Sequence, residues 1–188
     1  FGSQLMADYE QSPTTIVIGN VMGRSYSHTL QVDASYQPLK GMTVTAAYRR
    51  SIVRAVLGGM LREVPLTSRY KGLLSASYKT PLGLWQADVT LQLCGGGLMP
   101  TPVTSTDGTP LWQPRFKPYE QLSAQITRWF KHFSVYIGGE NLTGKRQHTA
   151  IVDATSPWGT RFDPTLAWGP VSGAMGYVGI RVNIGRHT

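Results

Sequence analysis

The chain has 188 residues, of which 41% are hydrophobic, and its 18 lysines and arginines against 10 aspartates and glutamates give a formal charge of +8. No window contains the roughly 18 consecutive apolar residues of a membrane-spanning helix, which excludes a helical membrane protein. One cysteine, Cys94, excludes an internal disulfide, and four scattered histidines predict no metal site. No linker or charge block divides the sequence, so we expect one continuous structural unit.

Alternation of apolar and polar residues predicts eight β-strands, because successive side chains of a strand point to opposite faces. In the second of these strands, for example, Leu30, Val32 and Tyr36 share one face, while Gln31 and Asp33 occupy the other. The same test succeeds along the later segments. In chain order the predicted strands cover residues 1–9, 27–37, 42–49, 70–79, 85–93, 122–127, 133–137 and 177–184.

The connections between the predicted strands alternate in length. Short turns lie at residues 38–41, 81–83 and 131–132, and long connections cover residues 51–68, 95–117 and 143–172. Transmembrane barrels show this alternation, since their turns are short on the periplasmic side and their loops are long on the outer side. The sequence therefore predicts an all-β fold made of antiparallel transmembrane β-barrel strands.

Aromatic residues collect near both ends of these strands, as barrels require at the two membrane boundaries. Five lie near the short turns and three near the long connections: Tyr36, Tyr78, Trp85, Phe130 and Phe133, then Tyr48, Tyr70 and Tyr119. The segment from Tyr70 to Tyr78 spans about 26 Å along a strand, or ~20 Å across a bilayer after tilting. A soluble β-domain with one buried face stays an alternative, in which these tyrosines would be core or interface residues.

Eight strands could close into a small barrel with a structural or adhesive role, or they could form part of a larger one. Residues 138–146 read Gly-Gly-Glu-Asn-Leu-Thr-Gly-Lys-Arg, and residues 179–182 read Gly-Ile-Arg-Val. With these motifs the chain resembles the C-terminal part of TonB-dependent outer-membrane receptors, in which such a run precedes a loop and the closing strand. Residues 47–49, 65–71 and 77–81 are similar to receptors of the Bacteroidota type.

The resemblance implies that residues 1–188 are the C-terminal transmembrane segment of a barrel of about 22 strands. The N-terminal plug domain and the earlier strands would then lie outside this chain. The implied function is active import of a scarce nutrient (a siderophore, haem, cobalamin, peptide or glycan) across the outer membrane of a Gram-negative cell. The implied partners are outer-membrane lipid and lipopolysaccharide, the nutrient itself, and the TonB complex, which would bind the absent N-terminal region. A surface lipoprotein is a further possible partner.

The polar faces of the predicted strands supply the candidate lumen residues. We expect six of them to line the transport path and contact the plug: Arg49, Lys71, Asp88, Gln125, Glu140 and Arg181. No constellation of residues suggests catalysis, because the carboxylates Asp33, Asp88 and Glu140 read as separate wall residues. We therefore expect neither an enzyme nor a cofactor.

The long connections combine basic and aromatic side chains. Twelve of the 18 lysines and arginines lie in or next to them. Such a basic rim can bind lipopolysaccharide phosphates, or it can attract an anionic ligand towards the barrel mouth. Nucleic acid is not an expected partner, because bases need an accessible stacking platform. Exposed aromatic rings offer apolar contact area, so the candidate ligand-binding residues are Trp112, Trp158, Arg161 and Trp168.

Overall fold

A computed structural model of the chain describes residues 5–12, 15–20, 23–57, 59–102, 104 and 107–182. The described residues form an all-β structure. Within these ranges no helix is long and apolar enough to span a membrane. The strands are β1 (Leu5–Ser12), β2 (Thr15–Asn20), β3 (Tyr26–Tyr36), β4 (Met42–Leu57), β5 (Met60–Glu63), β6 (Tyr70–Lys79), β7 (Trp85–Cys94), β8 (Gly97–Leu98), β9 (Arg115–Phe116), β10 (Tyr119–Trp129), β11 (Phe133–Glu140) and β12 (Met175–Val182).

Eight strands form the main sheet, seven of them in the order β12-β11-β10-β7-β6-β4-β3, and every neighbouring pair is antiparallel. β5 adds a short hairpin to the far end of β4, while β1 pairs with β2 and β8 with β9 in two separate small sheets. No described strand pairs with the outer edge of β3 or of β12. The main sheet is therefore an open meander, and the described residues do not close it into a barrel.

The three predicted hairpins are confirmed, and local turn chemistry explains where the first two reverse. In the first turn the Met42 amide donates to the Leu39 carbonyl at 3.1 Å, and Gly41 has a φ of +85°. In the second, the Gly83 amide donates to the Thr80 carbonyl at 2.7 Å. A positive φ strains residues that carry a β-carbon. Glycine at the first of these turns therefore allows a tight reversal.

Strand register confirms the two-faced pattern of the sequence. Residues paired directly across antiparallel strands share a face, and apolar residues pair with apolar ones along the sheet. One such row runs through Ala46, Leu74 and Leu91, each opposite the next on β4, β6 and β7. The opposite parity carries Ser, Thr, Gln and charged residues. We call these two surfaces the apolar face and the polar face of the main sheet.

The apolar face is not covered by any described part of the chain. Its exposed side chains extend to both ends of the sheet, and Ile137 and Val178 have 63% and 73% of their surface accessible. Monomeric soluble proteins rarely expose a contiguous apolar surface of more than a few hundred Å². The residues that the structure describes build no hydrophobic core on this side of the main sheet.

The buried core lies instead in the long connections. Met99, Phe116, Val152 and Leu166 form one cluster, against which four further residues pack: Leu66, Leu111, Trp112 and Trp168. These residues come from all three long connections, so the connections fold onto each other. We call the described residues of 64–69, 95–118 and 141–172 the loop cap.

Three sequence predictions need correction. The connection predicted over residues 51–68 is largely strand, since β4 continues to Leu57 and β5 pairs back onto it. Residues 95–117 likewise contain the short pair of β8 and β9. β2 was not predicted, and β1 pairs with β2 instead of joining the main sheet. Residues 1–4 and 183–184 of the predicted first and last strands lie outside the described residues.

Candidate functional site

Short polar side chains on the polar face bond to each other across neighbouring strands. Ser77 donates to Asp88 at 2.6 Å, and the Gln86 amide donates to both oxygens of the same carboxylate at 3.0 Å. Similar hydroxyl pairs join Ser35 with Thr45 at 2.8 Å and further strands along the sheet. The Asp88 carboxylate thus accepts hydrogen bonds from neutral donors, which suits a wall residue better than an acid–base catalyst.

All six candidate lumen residues lie on the polar face, in separate groups. Arg49 and Lys71 are direct cross-strand partners near the loop cap. Asp88 and Gln125 are direct partners in the middle of the sheet. Glu140 and Arg181 lie farther along, on β11 and β12. A cavity of about 480 Å³ brings Gln125, Glu140 and Arg181 to one hollow, together with Trp129, Tyr136 and Tyr177.

Two tyrosines that the sequence analysis missed shape this hollow. Tyr136 lies directly opposite Gly179, and Tyr177 lies directly opposite Gly138. Each ring covers its glycine so closely that a β-carbon there would collide with the ring. The Tyr177 hydroxyl also donates to Gln125 at 3.1 Å. The sequence contains one signal for this arrangement, a Tyr-Xaa-Gly triplet at residues 136–138 and another at residues 177–179. When two such triplets pair antiparallel, the tyrosine of each lies opposite the glycine of the other.

The aromatic candidates of the long connections fall into two kinds. Trp112 and Trp168 are partly buried against the loop core: Trp112 donates from Nε1 to the Pro100 carbonyl at 3.0 Å, and Trp168 stacks on Phe116 with centroids 5.1 Å apart. Trp158 is 98% exposed, and Arg161 is also exposed. The structure thus places two of these candidates within the packed cap and leaves two accessible at the tip of the last long connection.

The prediction that Tyr119 belongs to an outer aromatic girdle is wrong, because its side chain is not on the apolar face. It lies opposite Cys94 on the polar parity and packs against Trp168, with centroids 5.8 Å apart. Tyr48 and Tyr70, in contrast, stack on each other on the apolar face at 6.2 Å. The parity of the strand explains the correction, because Tyr119 faces the opposite side from Glu120 and Leu122.

Two buried amides hold the last long connection together. The Gln147 amide group donates to the Leu166 carbonyl at 2.8 Å, and its oxygen accepts from the Trp168 amide at 3.0 Å. Asn141 has a φ of +49° and donates to the carbonyls of Lys145 and Ser172 at 2.7 and 3.0 Å. The Glu-Asn-Leu-Thr run therefore has a structural role, in which Asn141 ties the two ends of the connection.

Arginines surround one carboxylate beside the loop cap. Arg69 donates to both oxygens of Glu63 at 2.8 and 2.6 Å, and Arg115 lies 3.7 Å from the same carboxylate. The Arg69 hydrogen bonds lower the pKa of Glu63, and the charges of Arg69, Arg115 and Arg54 add to the effect against the opposing cost of burial. Because one carboxylate faces three guanidinium groups, the net charge of this part of the rim is positive.

No protein-family model matches the chain, and no curated protein matches it significantly. The family resemblance consequently rests on sequence motifs alone, chiefly those at residues 138–146 and 179–182. The fold places the chain in a class of antiparallel all-β proteins with an open, two-faced sheet.

Proposed function

We propose that the main sheet is a membrane-spanning part of an outer-membrane β-barrel wall. The observation that carries this proposal is the continuous, uncovered apolar face, with aromatic residues near both ends. A bilayer would cover such a surface, and a barrel in a bilayer has an apolar outer face and a polar inner one. The mutually bonded hydroxyls and amides of the polar face suit a wall that meets water.

Strand length supports the same placement. β6 has ten residues, Tyr70–Lys79, which span about 33 Å at the usual rise per residue. With a tilt of 35–45° the strand crosses ~25 Å, the height of the apolar band of outer-membrane barrels. The part of β4 beyond Tyr48 would then project past the membrane, where β5 and the loop cap pack.

The open edges favour a segment of a large barrel over a self-contained small one. A small barrel of these strands would need β3 to meet β12, directly or through β1 and β2, and none of these pairs is present among the described residues. Small Ser and Thr side chains on the polar face also suit a wide lumen, because the interior of an eight-stranded barrel is filled by side chains.

Within that frame we assign nutrient import of the TonB-dependent type as the function, on the basis of the motifs at 138–146 and 179–182. The polar face would line the path, and the loop cap would form part of the outer mouth. The cluster of Arg54, Arg69 and Arg115 favours an anionic ligand, since a charged cleft raises the local concentration of its counter-ion. The alternative is an eight-stranded barrel of structural or adhesive role.

The mass of the native polypeptide tests these alternatives. Outer membranes are extracted with detergent and blotted with an antibody raised against the peptide 133–140 of β11. A band several times larger than 20.6 kDa supports the transporter. A heat-modifiable band near 20.6 kDa supports the small barrel and rejects the transporter. Recovery in the soluble fraction rejects both membrane proposals.

A further inference from the structure

A cationic side chain lies on the apolar face at its turn end. The Arg128 guanidinium is 4.6 Å from the centroid of the Trp85 ring and 5.5 Å from that of Phe130. Phe130 in turn stacks on Phe133, with centroids 4.5 Å apart. Arg128 pairs in register with Trp85 and Val135, so its parity is that of the apolar face. The two rings hold the guanidinium at the border of this face.

No described residue provides an ion-pair partner for Arg128. The described salt bridges all lie near the loop cap, at the opposite end of the sheet. The turn that follows Arg128 adds two more basic residues, Lys131 and His132, both of them exposed. A partly buried guanidinium with aromatic contacts keeps unused N–H donors. This end of the apolar face could consequently bind an anion from outside the described chain through the Arg128 guanidinium.

We propose that Arg128 binds the phosphate of an anionic phospholipid at the turn-side boundary of the membrane. The inference rests on the proposed membrane placement of the sheet. The planar fork of arginine matches phosphate oxygens in pairs, and tryptophan and phenylalanine beneath it would contact the glycerol and upper acyl region. The turn side of a barrel faces the periplasm, which favours a phospholipid headgroup over lipopolysaccharide.

Native mass spectrometry of the detergent-purified native protein tests the site, with phosphatidylglycerol as the probe. Arg128→Gln should weaken phosphatidylglycerol binding about fivefold, which equals about 1 kcal/mol, the usual contribution of one basic residue at an anionic membrane surface. Lys117→Gln is the matched control, because it removes an exposed positive charge at the opposite end of the sheet. It should leave the affinity unchanged.

Two further variants keep the test decisive if Arg128→Gln folds poorly. Arg128→Lys keeps the charge but loses the planar fork, and Trp85→Leu removes the ring beneath it, so both should weaken binding by a smaller factor. Equal phosphatidylglycerol binding by wild type, Arg128→Lys and Trp85→Leu would overturn the proposal. Displacement of the lipid by inorganic phosphate at equal concentration would overturn the choice of a lipid as the ligand.

The membrane placement is tested separately with the wild-type protein. Its failure to insert into phosphatidylglycerol vesicles would reject the proposed function itself. If Arg128→Gln and Lys117→Gln both insert into the vesicles and bind phosphatidylglycerol with equal affinity, only the phospholipid site is rejected.

Discussion

The main sheet and the loop cap differ in where their apolar side chains find cover. In the sheet, residues such as Ile137 and Val178 point away from the described chain, and hydrogen bonds between strands hold the structure together. In the cap, Leu166 is 2% exposed and lies within a cluster built from all three long connections. The comparison teaches that the cap carries its own core, whereas no described part of the chain covers the apolar face of the sheet. Under the proposed membrane placement, lipid would cover that face.

Truncation of the cap core should have the largest effect. Leu166→Ala removes a fully buried side chain and should destabilise the cap by about 2–5 kcal/mol, the usual range for a buried leucine. Limited proteolysis or hydrogen exchange over residues 143–172 measures the loss. Trp158→Ala is the control, because its 98% exposed side chain should change stability by less than about 0.5 kcal/mol. Equal protection in both variants would contradict an independent cap core.

A charge on the apolar face should have the next largest effect. Leu74→Arg places a cation in the middle of β6, and it should cost about 2–4 kcal/mol if lipid covers this face. Gln92→Arg, on the polar face of β7, should cost much less. Urea unfolding in lipid vesicles compares the two variants. Equal stability of both would show that lipid does not cover this face and would contradict the proposed membrane placement.

The tyrosine contacts on the polar face allow a test within one strand. Gly179→Ala puts a methyl group against the Tyr136 ring and should destabilise the sheet by roughly 1–3 kcal/mol, the usual cost of overpacking. A β-carbon at Gly176 has space, with its nearest neighbour the Gly138 carbonyl oxygen at 3.9 Å, so Gly176→Ala is the control. Adding Tyr136→Ala should relieve the defect of Gly179→Ala, as a double-mutant cycle of unfolding free energies will reveal.

The smallest effect is expected from acid on the β4–β5 hairpin. Because the pKa of Glu63 is lowered in the folded state, its contribution is complete above the unfolded value of about 4.3. It is lost as the pH falls through the lowered folded pKa. Both partners are partly exposed, so the effect should stay below about 1 kcal/mol. Proteolysis of this hairpin between pH 7 and 3 measures it, and Glu63→Gln should remove the pH dependence of this step.

Much of the sheet could be predicted from sequence because its signals are local. Alternation gave β6 its bounds, and glycine at 41 marked a turn. The β4–β5 hairpin was missed because the alternation of apolar and polar residues breaks beyond Arg49. Arg50 and Arg54 occupy the parity of the apolar face, and basic residues at these positions resemble a loop. Local patterns cannot tell an extended hairpin from an irregular basic connection.

The loop cap and the hollow on the polar face were harder to predict. The cap core joins Met99 with Leu166, residues far apart in the chain, and no periodicity marks such a contact. Trp112 and Trp168 consequently read as exposed ligand-binding rings, although both pack on the core. The sequence analysis missed Tyr136 and Tyr177 because only the strand register shows that each lies opposite a glycine, and the register was not known from the sequence.

The amide of Asn141 bonds both Lys145 and Ser172, and this clamp has an evolutionary consequence. Asn141 fixes the two ends of the last long connection to each other at its base. A segment inserted near Trp158 would therefore leave the contact between these ends intact. Lengthening a flexible loop is inexpensive, about 0.6 kcal/mol for each doubling. The tip around Trp158 can therefore diversify in length and sequence while the strands beneath it keep their register.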